Sequence, residues 1–232
     1  MTDKFFYAKP ITKPEDVSRH LAKQMHWKEG ASAYKLAHSW VEAKGIPRPV
    51  TEVLHQVVDF RSMELVEGFF EKDTDLRSRG RPSQTDLLAL IGDGDGFAVL
   101  GIEGKVDEPF GPLVSEWLVN ASPTKQTRLS KLRKTLGLTG FDVSNLRYQL
   151  LHRTAAAIYE AQRYKVRRAV MLVHSFSKNH RWFDDFQAFA DAIGTPVSRP
   201  NELSAEILVE KISLRLGWVS DQGAELGNEH NQ

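Results

Sequence analysis

Cysteine is absent from this chain, which excludes disulfides, thiolate metal sites and a cysteine nucleophile and agrees with a reducing compartment. Long apolar runs are missing too: no stretch approaches the ~18 consecutive apolar residues that a membrane span needs. The opening Met1-Thr-Asp-Lys-Phe-Phe-Tyr lacks the charged-then-apolar pattern of a secretory leader. The chain therefore reads as cytoplasmic, with no membrane partner. An excess of charge of either sign is also lacking, since 31 Lys+Arg stand against 30 Asp+Glu. That balance neither supports nor excludes a nucleic-acid partner, because a basic face can be offset by acid elsewhere. There is no internal repeat, low-complexity block, phosphate-binding Walker loop or dinucleotide fingerprint. What is present is an ordinary globular composition, 41% hydrophobic and 26% charged over 232 residues, long enough to bury a core without staples.

Punctuation and periodicity divide the chain into an N-terminal helical extension (1–49), an α/β domain (50–220) and a polar tail (221–232). In the extension, Thr12 and Glu15 are spaced as a capping box ahead of a helix whose face carries Val17, Leu21 and Met25. A second helix is expected over 32–43, with Leu36, Ala37, Trp40 and Val41 on one stripe and Gly45 as its stop. The domain opens with a short helix over 51–60, then a strand over 63–70 and a charged loop over 73–82. Strands over 85–91 and 97–106 flank Gly92-Asp-Gly-Asp-Gly96, the turn of a hairpin. Residues 109–140 read as a loop with one short helix near Trp117. Ser144 is placed as the cap of a long helix reaching Tyr164. A buried strand over 168–174 follows, then a helix capped by Ser177 and carrying Trp182, Phe186, Phe189 and Ile193, and a last strand over 211–219. The order implies an α/β fold with a mixed sheet flanked by helices.

The informative feature is the strand that ends in Glu103-Gly104-Lys105. Strand side chains alternate, so Val99, Gly101, Glu103, Lys105 and Asp107 share one face, and Ala98, Leu100, Ile102 and Val106 the other, core face. Glu103 and Lys105 stand roughly 7 Å apart between α-carbons, and Asp86 on the hairpin partner comes close if the register allows. Two carboxylates and an ammonium suit metal-assisted phosphodiester cleavage, because Mg²⁺ prefers carboxylate oxygens and retained waters. A lysine there can orient or deprotonate water, or neutralise the transition state. The bland alternative is an exposed cross-face ion pair.

The stretches Ser83-Gln84-Thr85-Asp86-Leu-Leu-Ala-Leu and Ile102-Glu103-Gly104-Lys105-Val-Asp-Glu resemble the PD-(D/E)XK, restriction-endonuclease-like nuclease superfamily. Arg81-Pro-Ser-Gln-Thr-Asp, Tyr148-Gln149-Leu-Leu-His-Arg, His26-Trp27-Lys28 and Ser32-Ala33-Tyr34-Lys35-Leu36-Ala37-His38-Ser39-Trp40 look like a group of bacterial proteins within it. The resemblance implies a restriction-endonuclease-like sheet, a Mg²⁺ (or Mn²⁺) cofactor bound by Asp86 and Glu103, and Lys105 as the catalytic lysine. Thr85 stands where the motif has proline. Members often add a glutamate from the first core helix: Glu52 is the choice here, with Glu64, Glu67 and Glu71 as competitors.

Gln149 and Arg153 are four residues apart on the long helix and are candidates to support the site or touch a phosphate. Arg77, Arg79 and Arg81 precede Asp86, while Lys125, Arg128, Lys131, Arg133 and Lys134 follow the motif. Of these, Arg79, Arg81, Lys131 and Arg133 are candidate contacts to a nucleic-acid backbone, DNA being the expected partner and the oligomeric state, a homodimer included, being left open. Asp93 and Asp95 read as turn residues, and His174-Ser175 as structural. Two functions remain open on the sequence: a Mg²⁺-dependent nuclease, or an inactive nuclease-like fold that binds nucleic acid or protein.

Overall fold

The computed structural model describes residues 10–21 and 27–222. Met25, His26, the leader reading at the N-terminus and residues 223–232 of the polar tail lie outside them. The fold is α/β, and the described residues build one seven-stranded mixed sheet. β1 (Glu64–Thr74), β2 (Ser83–Asp93) and β3 (Gly96–Lys105) form an antiparallel meander. β4 (Arg168–Ser175) and β7 (Ile212–Ser220) continue parallel to β3. The short β5 (Glu202–Leu203) and β6 (Ile207–Val209), absent from the sequence reading, finish the sheet antiparallel to β7.

Helices cover both faces. α1 (Ser32–Ala43) and α2 (Arg48–Leu54) bury Leu36, Trp40, Val50, Val53 and Leu54 against Leu87, Ala89, Leu100 and Ile102. On the other face lie α3 (Val114–Trp117), α4 (Pro123–Thr135), α5 (Tyr148–Tyr164) and α6 (Phe183–Ala192), packed on Leu88, Val99, Met171 and Trp218. The bland alternative of an exposed Glu103/Lys105 ion pair is therefore corrected, because a central strand in a three-layer fold is buried on both sides. α5 crosses β3 closely: a β-carbon on Gly101 would stand 3.1 Å from the Ala157 Cβ. α1, in the N-terminal helical extension, packs into the core on the face opposite α5. The Trp40 indole donates to His174 Nδ1 at 3.1 Å, His174 Nε2 lies 3.1 Å from Asp221 Oδ2, and Ser39 donates to the same oxygen at 3.0 Å. Burial holds the His174 pKa below its usual value against the opposing pull of Asp221.

Several local expectations change. Near the N-terminus, Pro14–Arg19 form a 3-10 turn, and Asp16, not Glu15, takes the Thr12 and Lys13 amides. The stop after α1 is Lys44, left-handed at φ 52°. The helix expected over 51–60 runs from Arg48 to Leu54, with a separate 3-10 turn over Val58–Phe60. α4 replaces the middle of the loop expected over 109–140. It is announced by Ser122, whose hydroxyl accepts from the Lys125 amide, and by Pro123 in its first turn. Ser144 does not cap α5: its amide donates to Asp142, and the helix begins at Tyr148. Ser177 lies six residues before the start of α6 at Phe183 and accepts from the Arg181 amide.

Candidate active site

The β2–β3 ladder ends at the pair Leu87–Ile102. The next cross-strand positions are Asp86 and Glu103, and there a side chain takes over from the backbone: Asp86 Oδ2 accepts the Gly104 amide at 3.0 Å. Asp86, Glu103 and Lys105 thus converge on the α5 face of the sheet, under the first turns of that helix. Glu103 and Lys105 are buried, with 2% and 4% of their surfaces exposed. Asp86, with a fifth of its side chain exposed, marks the open side.

Every oxygen of the two acids is engaged. Glu103 Oε1 accepts from Lys105 Nζ at 2.7 Å and from Gln149 Nε2 at 2.8 Å. Glu103 Oε2 accepts from Arg153 Nε at 2.5 Å, and Arg153 Nη2 reaches Asp86 Oδ1 at 3.3 Å. The third arm of the same guanidinium, Nη1, lies 3.3 Å from Ser83 Oγ, which itself meets His152 Nδ1 at 2.8 Å. Arg153 therefore forks between the two carboxylates. Gln149 and Arg153, one turn apart on α5, both face Glu103, as their spacing implied. Among the described residues, the Gln149 and Glu108 Oε1 atoms are buried without a hydrogen-bond partner.

The charges settle unequally. Burial alone would raise the Glu103 pKa, but Arg153 and Lys105 beside it bring it down to about 2. Asp86 has weaker compensation: burial and the neighbouring Glu103 charge push it up to about 7. Burial opposes the Lys105 charge, yet Glu103 and Asp86 outweigh that and raise its pKa. Burial and the Arg153 charge bring His152 down to about 3, so it is neutral.

A further carboxylate comes from β1. Glu71 falls between the pairs Phe70–Leu87 and Lys72–Thr85, opposite Asp86. Burial and the Asp86 charge lift its pKa to about 8. Its φ of 52° breaks the strand alternation: Phe69 packs on the α5 side, and so do Lys72 and Thr74, which both meet Glu160 of α5. Sequence reasoning placed Glu71 only among the competitors, because nothing in the pattern announces a left-handed residue inside a strand. Its preferred glutamate, Glu52, is corrected: α2 packs towards β7, and Glu52 is an exposed partner of Arg48 at 2.8 Å. Glu64 and Glu67 are exposed on β1.

The donor set as folded does not fit a divalent cation. Asp86 and Glu103 present the oxygens such an ion prefers, but the Arg153 guanidinium lies between them. Among the described residues no group of three or more His, Asp or Glu stands ready to hold a metal.

The two basic segments meet beside the site. Arg128 of α4 donates to Ser78 Oγ at 3.2 Å, and Lys131 donates to the Arg77 carbonyl, joining α4 to the loop over 75–82. Arg79 and Arg81 on that loop are exposed. Arg133 is committed elsewhere, donating to the Leu138 and Phe141 carbonyls at 3.2 and 2.7 Å. It holds the end of α4, which weakens it as a nucleic-acid contact. No helix among the described residues is long and apolar enough to cross a membrane.

A family model described as Domain of unknown function (DUF6946) matches residues 10–223. No curated protein matches the chain, and no solved structure does.

Proposed function

From the premise that the chain belongs to the DUF6946 family, we propose that it hydrolyses phosphodiester bonds of DNA as a divalent-metal-dependent nuclease. One observation carries the reading: Asp86, Glu103 and Lys105 meet on one face where β2 and β3 part. That arrangement is what the PD-(D/E)XK resemblance implies for a catalytic constellation. Asp86 and Glu103 would hold Mg²⁺ or Mn²⁺ only with the Arg153 guanidinium displaced from between them. Lys105, its charge reinforced by Glu103, is suited to neutralise charge developing on a phosphate rather than to act as a base. The joined basic loop and α4, with Arg79, Arg81 and Lys131, would track the strand backbone beside the open Asp86 side. Both the nuclease activity and a cytoplasmic setting belong to this proposal.

The direct test is cleavage of single- and double-stranded DNA with Mg²⁺ or Mn²⁺. Asp86→Ala and Lys105→Ala are each expected to lower the rate by about 10²-fold or more, the scale of removing one such charge stabiliser. Cleavage that survives both substitutions would overturn the reading.

A second reading has its own support. Because Arg153 already links the two acids, the same fold suits a nucleic-acid-binding module without turnover. DNA binding that depends on Arg79 and Arg81, with no cleavage under any metal, is its signature.

A further inference from the structure

The mismatch between the acids and a divalent ion comes from one residue. Arg153 sits one turn beyond Gln149 on α5, nine-tenths buried, with its guanidinium shared among Glu103, Asp86 and Ser83. A cation between Asp86 and Glu103 would occupy the position of that guanidinium. Two positive groups cannot share it, because in a buried site their repulsion is poorly screened. The three arms are not equally held. The Nε contact to Glu103 is 2.5 Å, while the arms to Asp86 and Ser83 are both 3.3 Å. Of the two loosely held arms, Nη1 meets the buried Ser83, while Nη2 points to Asp86, which marks the side open to solvent. A planar guanidinium that forks between carboxylates is equally matched to a phosphate.

We propose that Arg153 is an internal counter-ion that keeps Asp86 and Glu103 closed to divalent metal, and that the phosphate of an incoming nucleic-acid strand draws it away. Metal and strand then bind with positive coupling: each raises the affinity for the other by the same factor. Arg153 acts as a positioning residue whose first role is to hold the free protein in a metal-excluding state. The inference deepens the nuclease reading and rests on it for the identity of the phosphate, but not for the exclusion of metal.

The test uses the full chain and reads free Mn²⁺ by electron paramagnetic resonance, without reference to turnover. Arg153→Met is expected to bind Mn²⁺ at least tenfold more tightly than wild type. Asp86→Asn in the Arg153→Met background is expected to abolish the gain. Arg147→Met removes the same charge from a pair with Asp185 and is expected to leave Mn²⁺ affinity at the wild-type level. Equal affinity of wild type and Arg153→Met, or a gain that persists with Asp86→Asn, overturns the proposal.

If circular dichroism shows that Arg153→Met does not fold, wild type carries the test. With an uncleavable phosphorothioate DNA strand added, its Mn²⁺ affinity is expected to rise at least tenfold, an increase missing in Asp86→Asn. No increase overturns the proposal. The two readings fail separately. Tighter Mn²⁺ binding by Arg153→Met without any cleavage retires the nuclease and leaves the counter-ion role standing. Cleavage by a wild type that binds Mn²⁺ as tightly as Arg153→Met does the reverse.

Discussion

At the scale of single residues, the site contains carboxylates with opposite fates. Glu103 is surrounded by donors and stays ionised, whereas Asp86 and Glu71 face each other with too little positive charge to share. Both have folded pKa values above the ordinary carboxylate range, so the stability tied to their protons is full at acid pH. It is lost as pH rises through about 7 for Asp86 and about 8 for Glu71. Glu103 works in the other direction: its contribution is present above about 4.5 and lost as pH falls through about 2. The thermal midpoint of the metal-free protein is therefore expected to fall between pH 5 and pH 8. Asp86→Asn and Glu71→Gln should flatten that decline, as calorimetry across the range would show. An unchanged slope in the double variant would refute the assignment.

At the scale of elements, the site depends on how closely α5 lies on β3. Gly101 leaves room for Ala157, and this contact sets the height at which Gln149 and Arg153 meet Glu103. Gly101→Val is expected to cost about 1–3 kcal/mol by overpacking, measurable by urea unfolding, and to weaken DNA cleavage although the residue touches no substrate. The strands and the long helix were legible because their apolar positions recur at clear spacings, and Asp86, Glu103 and Lys105 because two residues along a strand share a face. α4 was not legible: between Pro123 and Thr135 its buried apolar residues are only Leu129 and Leu132, so a charged helix reads as a loop. Glu71 was hidden for a different reason. Its placement goes with a positive φ inside β1, which no local pattern encodes. Nor does strand alternation reveal that Arg153 would lie between the acids, since that depends on a crossover helix 50 residues away from Glu103.

At the scale of the whole molecule, a net charge of +1 conceals a local basic surface where the loop over 75–82 meets α4. If that surface holds a phosphate backbone, DNA affinity should fall linearly on a log–log plot against salt. Arg79→Ala with Arg81→Ala should weaken binding uniformly across sequences and reduce the slope by about 2 for duplex DNA, measurable by fluorescence anisotropy. A slope unaffected by both changes would place the strand elsewhere. The family match takes in both ends of the fold, and the same two ends meet at His174. Ser39 and Asp221, joined there by a hydrogen bond, are 182 residues apart. At a synthesis rate of about 5–20 residues per second, roughly 10–40 s separate their emergence from the ribosome. The first helix must wait that long for its last polar anchor, although the strands that its apolar side packs on emerge well before that anchor.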